Sequence, residues 1–366
     1  MSEDAIQAET SYFMERLRES QSLALKKRRV SDQDAFGLAK ALEKNATLTL
    51  LSLRSDGIGP VGMRALTEVL RYNEHISDII LFGHNGDGDE RADAVSDVIK
   101  DSRKLSKLHL TNFGICRVGA AFIGEALKRN SVLQELSLEN NAIGSDGAAA
   151  IGDALKMNHI LTEINLSGNG IGDEGCGPIA DALVVNKSLR TLYLQHNRIR
   201  DAGAGLLANA LRINRSLKRL GLGANKGISL EGSHALAKGL QDNSVLEWLN
   251  GVDLRPYSFE VFGIPKIRES SFSGHNFDNV ELLEMAREIR ERTRKRYAEL
   301  TNVYRTKSTG RNAQRLFTSS SQQCLRANKQ GDMSGRKVQR LDRLPPNTPS
   351  CGDGMPEALE KYRKKK

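Results

Sequence analysis

The sequence is poor in the residues on which most site chemistry depends. It has four cysteines, seven histidines and one tryptophan in 366 residues. Four cysteines are too few for a disulfide scaffold of this size, and Cys116, Cys176, Cys324 and Cys351 make no Cys-x-x-Cys pair. The histidines are scattered, with no His-Glu-x-x-His motif and no Cys/His zinc spacing, so no metal is expected. A Gly-x-Ser-x-Gly elbow and a Gly-x-x-x-x-Gly-Lys-Ser/Thr phosphate loop are both missing. The chain is therefore expected to be no enzyme and to use no cofactor. No run of about 18 apolar residues is long enough to span a membrane. The N-terminus, MSEDAIQAETSYFM, is acidic and lacks the apolar core of a secretory signal. These absences predict a soluble cytoplasmic protein in a reducing compartment, with nuclear or cytoskeletal association left open. At 39%, hydrophobic residues are numerous enough for a buried core, which excludes wholesale disorder.

What the sequence does contain is repetition. LTLLSLRSDGIG from Leu48, LQELSLENNAIG from Leu133, LTEINLSGNGIG from Leu161, LRTLYLQHNRIR from Leu189 and LKRLGLGANKGI from Leu217 align with one another. Weaker copies start at Ser20, Ile76, Leu105 and Leu246, so successive starts are 28 or 29 residues apart. A degenerate tenth copy, IRESSFSGHNF, begins at Ile267 after the irregular stretch DLRPYSFEVFGIPK. Alternating apolar residues such as Leu136 and Leu138 predict a short strand with one buried face in each copy. A helix with small and aliphatic residues at 3.6-residue spacing follows, for example DGAAAIGDALKMN. Asn45, Asn73, Asn130, Asn158, Asn186 and Asn214 recur at its end, where a left-handed C-terminal conformation is expected.

The pattern Leu-x-x-Leu-x-Leu-x-x-Asn-x-Ile/Leu resembles the leucine-rich repeat family, and the 28/29-residue period resembles its ribonuclease-inhibitor-like branch. The resemblance covers roughly residues 20–290. It implies an α/β class: a right-handed, curved solenoid, or horseshoe, with parallel strands on the concave face and helices on the convex face. Curvature also follows from geometry, because strands pack at about 4.8 Å while helices need about 10 Å. The resemblance further implies that Asn141, Asn169, Asn197 and Asn225 stack as a structural ladder whose amides satisfy backbone groups where the chain turns inward.

In the first four copies Arg28, Asp56, His84 and Phe113 stand where the ladder asparagine belongs, so the N-terminal half is expected to be less regular. Solenoids need polar end caps. Residues 1–19 read as an N-terminal capping helix with Ile6, Tyr12, Phe13 and Leu17 facing inward. Residues 20–300 read as the solenoid, closed by the 253–266 insertion and a capping helix from Asn279. Residues 301–366 read as a basic, disordered tail. Residues 290–366 hold 20 Lys/Arg and 7 Asp/Glu, a net charge of +13 against −4 for the remainder. From about Arg305 the composition is Ser, Thr, Gln, Arg and Pro with few aliphatic residues.

Two Gly-x-Gly-x-x-Gly matches, Gly57–Gly62 and Gly170–Gly175, sit between a strand and a helix as a dinucleotide fingerprint would. Both occupy one register of the repeat, where sister copies read AIGSDG and RIRDAG, so glycine there is read as serving the strand-to-helix turn. Asn85, Asp87 and Asp89 have the opening spacing of a calcium loop, but Glu90 and Ser96 occupy its required Gly and Glu positions. An acidic helix start is the better reading.

Register also places the outward strand residues. Leu50, Ile80 and Phe82 form an apolar patch, Glu135, Glu139 and Glu163 an acidic centre, and Tyr193 with Trp248 an aromatic end, with Arg219 in the same row of positions as Trp248. Exposed aromatics are typical binding anchors. For Trp248, packing under the 253–266 insertion is the competing reading. The functional expectation is a non-enzymatic interaction scaffold that holds a protein partner on the concave face. Its basic tail would add a second, electrostatic contact to an acidic protein surface or polymer, such as a cytoskeletal one. Nucleic acid is disfavoured, because RNA-reading motifs are missing and aromatic residues are sparse in the tail. The alternative is a regulator of a small GTPase, since the activator of the Ran GTPase has this kind of array. Such activators carry a long acidic C-terminal segment, where this tail is basic.

Overall fold

The computed structural model describes residues 3–83, 86–252 and 268–269, all within one compact unit. The elements are α1 (Glu3–Leu17), β1 (Ser22–Ser31), α2 (Asp32–Leu42), β2 (Leu50–Gly57), α3 (Pro60–Tyr72), β3 (Asp78–Phe82) and α4 (Gly88–Asp101). There follow β4 (Lys107–Thr111), α5 (Arg117–Leu127), β5 (Glu135–Ser137), α6 (Gly144–Met157), β6 (Glu163–Asn165) and α7 (Gly172–Val185). The last are β7 (Thr191–Tyr193), α8 (Asp201–Ile213), β8 (Arg219–Gly221), α9 (Leu230–Leu240), β9 (Trp248–Asn250) and β10 (Arg268–Glu269). The ten strands form one open parallel sheet in sequence order, and successive helices pack on one another from α1 to α9. The expected α/β solenoid is the fold observed.

The strand pattern explains the core. In the β5 repeat Leu133, Leu136 and Leu138 are fully buried, and their equivalents Leu161, Ile164 and Leu166 are buried in the next. Alternation sends the residues between them to the opposite face of the sheet. Helices supply Ala and Gly on the inner side, for example Ala148, Ile151, Gly152 and Leu155 of α6, so that neighbouring helices approach closely.

The asparagine ladder has a definite mechanism. Asn141 Nδ2 donates to the carbonyls of Leu110 and Leu138, both at 2.8 Å, and its Oδ1 accepts from Phe113 N and Ile115 N. Asn169, Asn197 and Asn225 repeat the outward donation to the preceding repeat. The side chain thus replaces a sheet ladder where the chain leaves it, and β5–β8 are each three residues long. In the first four repeats, where the asparagine is absent, the strands run on, to 10, 8, 5 and 5 residues in β1–β4. Phe113 fills its ladder position as a fully buried side chain. Arg91 of α4 supplies the missing donors from beneath: its guanidinium bonds the Ser55 carbonyl at 3.2 Å and the Phe113 carbonyl at 2.7 Å and stacks 4.1 Å from the Phe113 ring. Burial pushes the Arg91 pKa down to about 10, against the opposing charges of Asp87 and Asp56.

The asparagines at the helix ends are not left-handed. Asn73, Asn158, Asn186 and Asn214 have φ between −81° and −63° with extended ψ. They are a second ladder. Asn158, Asn186 and Asn214 donate from Nδ2 to Leu127, Leu155 and Leu183, carbonyls at the preceding helix end, and accept at Oδ1 from the amides two and three residues onward. Left-handed backbone lies instead at Asn112, Asn140, His196, Arg198 and Ala224, just after the strands.

Glycine at the helix starts has a comparable cause. Asp32, Asp89, Asp173 and Asp201 each accept at Oδ1 from the first backbone amides of the next repeat's helix or its cap, as Asp173 does from Arg200 N at 2.7 Å and Gly203 N at 2.9 Å. A Cβ at Gly203 would lie 2.6 Å from that carboxylate oxygen, and one at Gly62 would lie 2.3 Å from Asp32 Oδ1. At Gly62, then, the final glycine of the fingerprint makes room for an aspartate of the preceding repeat. Asp89 belongs to the same series, which accounts for the acidic stretch; Asn85 lies outside the described residues.

In α1, Phe13 and Leu17 are buried against α2, and Tyr12 and Ile6 are half-buried. Arg28, on the β1 side, bridges Glu9 of α1 at 3.1 Å and also binds Asp34. The 253–266 insertion, the helix expected from Asn279 and the 301–366 tail lie outside the described residues.

Candidate functional site

The parallel register aligns the outward strand residues in rows. One row runs Leu50, Asp78, Lys107, Glu135, Glu163, Thr191, Arg219, Trp248. The next runs Ser52, Ile80, His109, Ser137, Asn165, Tyr193, Gly221, Asn250. Neighbours along a row are one strand spacing apart, about 4.8 Å, so their side chains touch.

The anticipated apolar patch is only partly assembled. Ile80 and Phe82 lie on one face of β3, both half-buried, whereas Leu50 pairs with Asp78. Phe82 opens onto a pocket of about 470 Å³ shared with Arg54, Asp56, Gly83, Asn112 and Asn140. Arg54 is held there by two bonds to Asp56, each 3.1 Å.

The acidic centre divides. Glu135 accepts from His109 Nε2 at 2.8 Å and lies 3.2 Å from Lys107 Nζ. Burial pushes its carboxyl up, but the hydrogen bonds from His109 and Lys107 outweigh burial and hold it below the ordinary range. Glu139 accepts from Asn165 Nδ2 at 3.0 Å. The Glu163 carboxylate has no hydrogen bond or ion pair among the described residues. Its carboxyl is raised by burial first and by the charge of Glu135 second, with Arg219 opposing.

The aromatic end is assembled. Tyr193 and Trp248 meet edge to face, with centroids 6.1 Å apart and planes at 84°. Gly221 lies between their strands, and the Gln195 side chain covers it; a Cβ at Gly221 would sit 2.5 Å from Gln195 Nε2. Arg219 stacks on Trp248 at 5.3 Å and makes no ion pair or side-chain hydrogen bond among the described residues. Burial raises the Tyr193 hydroxyl, against the charge of Arg219. Both rings are half-exposed. Lys107 and His109 are members of this surface that no sequence motif singled out. Their role comes from converging on one carboxylate, which spacing alone does not show.

Among the described residues no group of three or more His, Cys, Asp or Glu could hold a metal ion. No helix there is long and apolar enough to cross a membrane. Cys176 is fully buried, with its thiol pushed up to about 12 by burial and then by Asp173.

Residues 129–152, 158–180 and 185–208, which take in β5, β6 and β7 and the N-terminal parts of α6, α7 and α8, match the family described as Leucine Rich repeat. The chain is a leucine-rich repeat solenoid. No curated protein matches it in sequence. Among solved structures, the leucine-rich repeat chain is similar to the C-terminal domain of tropomodulin from Caenorhabditis elegans, at 13% identity over 38% of this chain and 89% of that one, TM-score 0.35. It is similar to actin-binding site 2 of leiomodin-1 at 20% identity, over 61% and 99%, TM-score 0.33. It is also similar to a chain of the yeast Rad7 and Elc1 complex at 19% identity, over 67% and 59%, TM-score 0.48. None of these likenesses bears on what this chain binds. Leucine-rich repeat arrays are in general protein-interaction scaffolds, because stacking exposes one long continuous surface.

Proposed function

We propose that this protein is a non-enzymatic scaffold whose concave strand face holds a protein partner, centred on β6–β9, with the basic tail as a second contact. The observation that supports this reading is an imbalance along the two rows. At β4 and β5 the charges neutralise one another, through Lys107, His109 and Glu135. At β6–β9 the Glu163 carboxylate, the Tyr193 hydroxyl and the Trp248 indole N–H have no hydrogen-bond partner among the described residues, and Arg219 stacks on Trp248 without an ion pair or side-chain hydrogen bond. A half-buried carboxylate held above its ordinary pKa is stabilised by an incoming Lys or Arg, and Arg219 by an incoming carboxylate. Tyr, Trp and Arg are the residue types that dominate interface hot spots. The array is also inferred to be of the ribonuclease-inhibitor-like kind, on its 28- and 29-residue steps and its full helix in each repeat.

The test is affinity capture from the native cell with the wild-type chain, Tyr193→Ala, Glu163→Lys and the helix-face control Glu174→Lys. The expected result is a protein retained by wild type and the control and lost with both strand-face variants. Retention by all four would move the site off this face. A regulator of a small GTPase would use the same surface, and the identity of the retained protein separates that reading from a scaffold.

A further inference from the structure

Parallel strands joined by single helices force α2–α9 to run in one direction, so their C-termini lie along one edge of the array. The last helical residues of α6, α7 and α8 are Met157, Val185 and Ile213, each directly before a buried ladder asparagine. They are 60%, 51% and 58% exposed. The fold does not require apolar side chains there, because the equivalent residues before Asn130 and Asn243 are Arg129 and Asp242. Three consecutive repeats therefore present an apolar ridge along this edge, widened by the exposed Ile160 and Val184. Cations flank it: Lys156, Lys187, Arg212 and Arg215. Lys187 and Arg212 have no ion pair or side-chain hydrogen bond among the described residues. Their placement suits the negative ends of the helix dipoles, which leaves the apolar side chains between them unexplained by folding.

We propose that this edge docks an acidic amphipathic helix of a partner protein. The spacing fits: packed helices lie about 8–10 Å apart, so the ridge repeats at nearly the rise of one helical heptad, about 10.5 Å. A helix laid along the edge with an apolar residue every seventh position would meet all three side chains, with acidic flanks against Lys187 and Arg212. The chain's own tail is excluded as occupant by sign, since residues 290–366 carry +13. An anionic bilayer matches the charge, but the near-heptad spacing along the edge has no counterpart in a lipid plane, and vesicles enter the test as the competing occupant.

The probe is a fluorescein-labelled peptide of three heptads, Leu at a and d and mainly Glu elsewhere, titrated against the full chain by fluorescence anisotropy. A scrambled peptide of the same composition, a Lys-for-Glu peptide and phosphatidylserine-containing vesicles are the controls. The expected result is saturable binding of the acidic helix alone. The triple variant Met157→Ser/Val185→Ser/Ile213→Ser should weaken it roughly tenfold or more at an unchanged thermal midpoint. Lys187→Glu/Arg212→Glu should weaken it and lower its salt dependence, and Tyr193→Ala should leave it unaltered. The proposal is overturned if the scrambled peptide binds equally well or the triple variant binds like wild type, either of which would point to the tail. It is equally overturned if there is no saturable binding below about 1 mM, or if only vesicles bind through the ridge.

Discussion

Asn169→Ala and Asn197→Ala remove the same side chain from adjacent rungs of one ladder, yet they should differ in cost. At Asn169 the Nδ2 donates to the carbonyls of Leu138, Leu166 and Ser167. Each of those carbonyls keeps a second donor: Asn141 Nδ2, Asn197 Nδ2 and Asn140 N respectively. The Asn169 Oδ1 is buried without a partner, so its removal relieves an existing penalty. Asn197 is different. Its Oδ1 accepts from Asn169 N at 2.9 Å and from Ile171 N at 3.3 Å, and truncation leaves both buried amides without an acceptor. A lost hydrogen bond between groups that remain satisfied costs about 0.5–1.5 kcal/mol, and a buried orphaned donor about 1–3 kcal/mol. The expected losses are therefore about 1–2 kcal/mol for Asn169→Ala and about 2–5 kcal/mol for Asn197→Ala. Urea unfolding followed by circular dichroism measures both, with an unchanged m-value as the condition for comparing midpoints. Equal losses, or a larger one at Asn169, would refute the reasoning that the donors orphaned by truncation decide the cost.

Glu163→Gln should be at least as stable as wild type at neutral pH. Because the folded-state carboxyl is raised, by burial and then by Glu135, the wild type loses stability as pH rises through that titration, and the difference should vanish below about pH 4. A variant less stable at neutral pH would show that the carboxylate stabilises the array. Gly203→Ala should lower the unfolding midpoint by closing on Asp173 Oδ1, and Asp173→Ala in the same chain should recover part of the loss. Additive losses would deny the contact. Deleting residues 305–366 should reduce affinity for the captured partner and flatten its salt dependence, because exposed charges are screened beyond about 8 Å at physiological ionic strength. Unchanged affinity and slope would leave the tail a tether.

Repetition made the core and the first ladder readable, because Leu136 or Asn169 can be compared with three or more equivalents in one register. Rows on the strand face were readable for the same reason. Pairings within them were not: whether Lys107 turns toward Asp78 or Glu135 depends on rotamers and on His109 arriving from the adjacent row. The helix-end asparagines were visible, but their purpose was misread because their acceptors lie about 28–31 residues earlier in the chain, outside any local rule for helix termini. Arg91 was hidden in an acidic stretch that reads as solvated. Only the missing asparagines above it create free carbonyls for a guanidinium.

The devices that hold the repeats together lie in the core and along the two edges: both asparagine ladders and the aspartates that bridge successive helix starts. Each bonds backbone of a neighbouring repeat, so stability passes from repeat to repeat without using the outward strand residues. Those residues are then free of structural duty, and an unneutralised carboxylate such as Glu163 persists there although it disfavours the folded state at neutral pH. Stability and recognition should therefore separate experimentally. Variants of Glu163, Tyr193 and Arg219 should alter binding with small effects on unfolding, and variants of Asn197 should do the reverse until the array itself opens. A strand-face substitution that destabilised as much as a ladder substitution would mean that this surface belongs to the core.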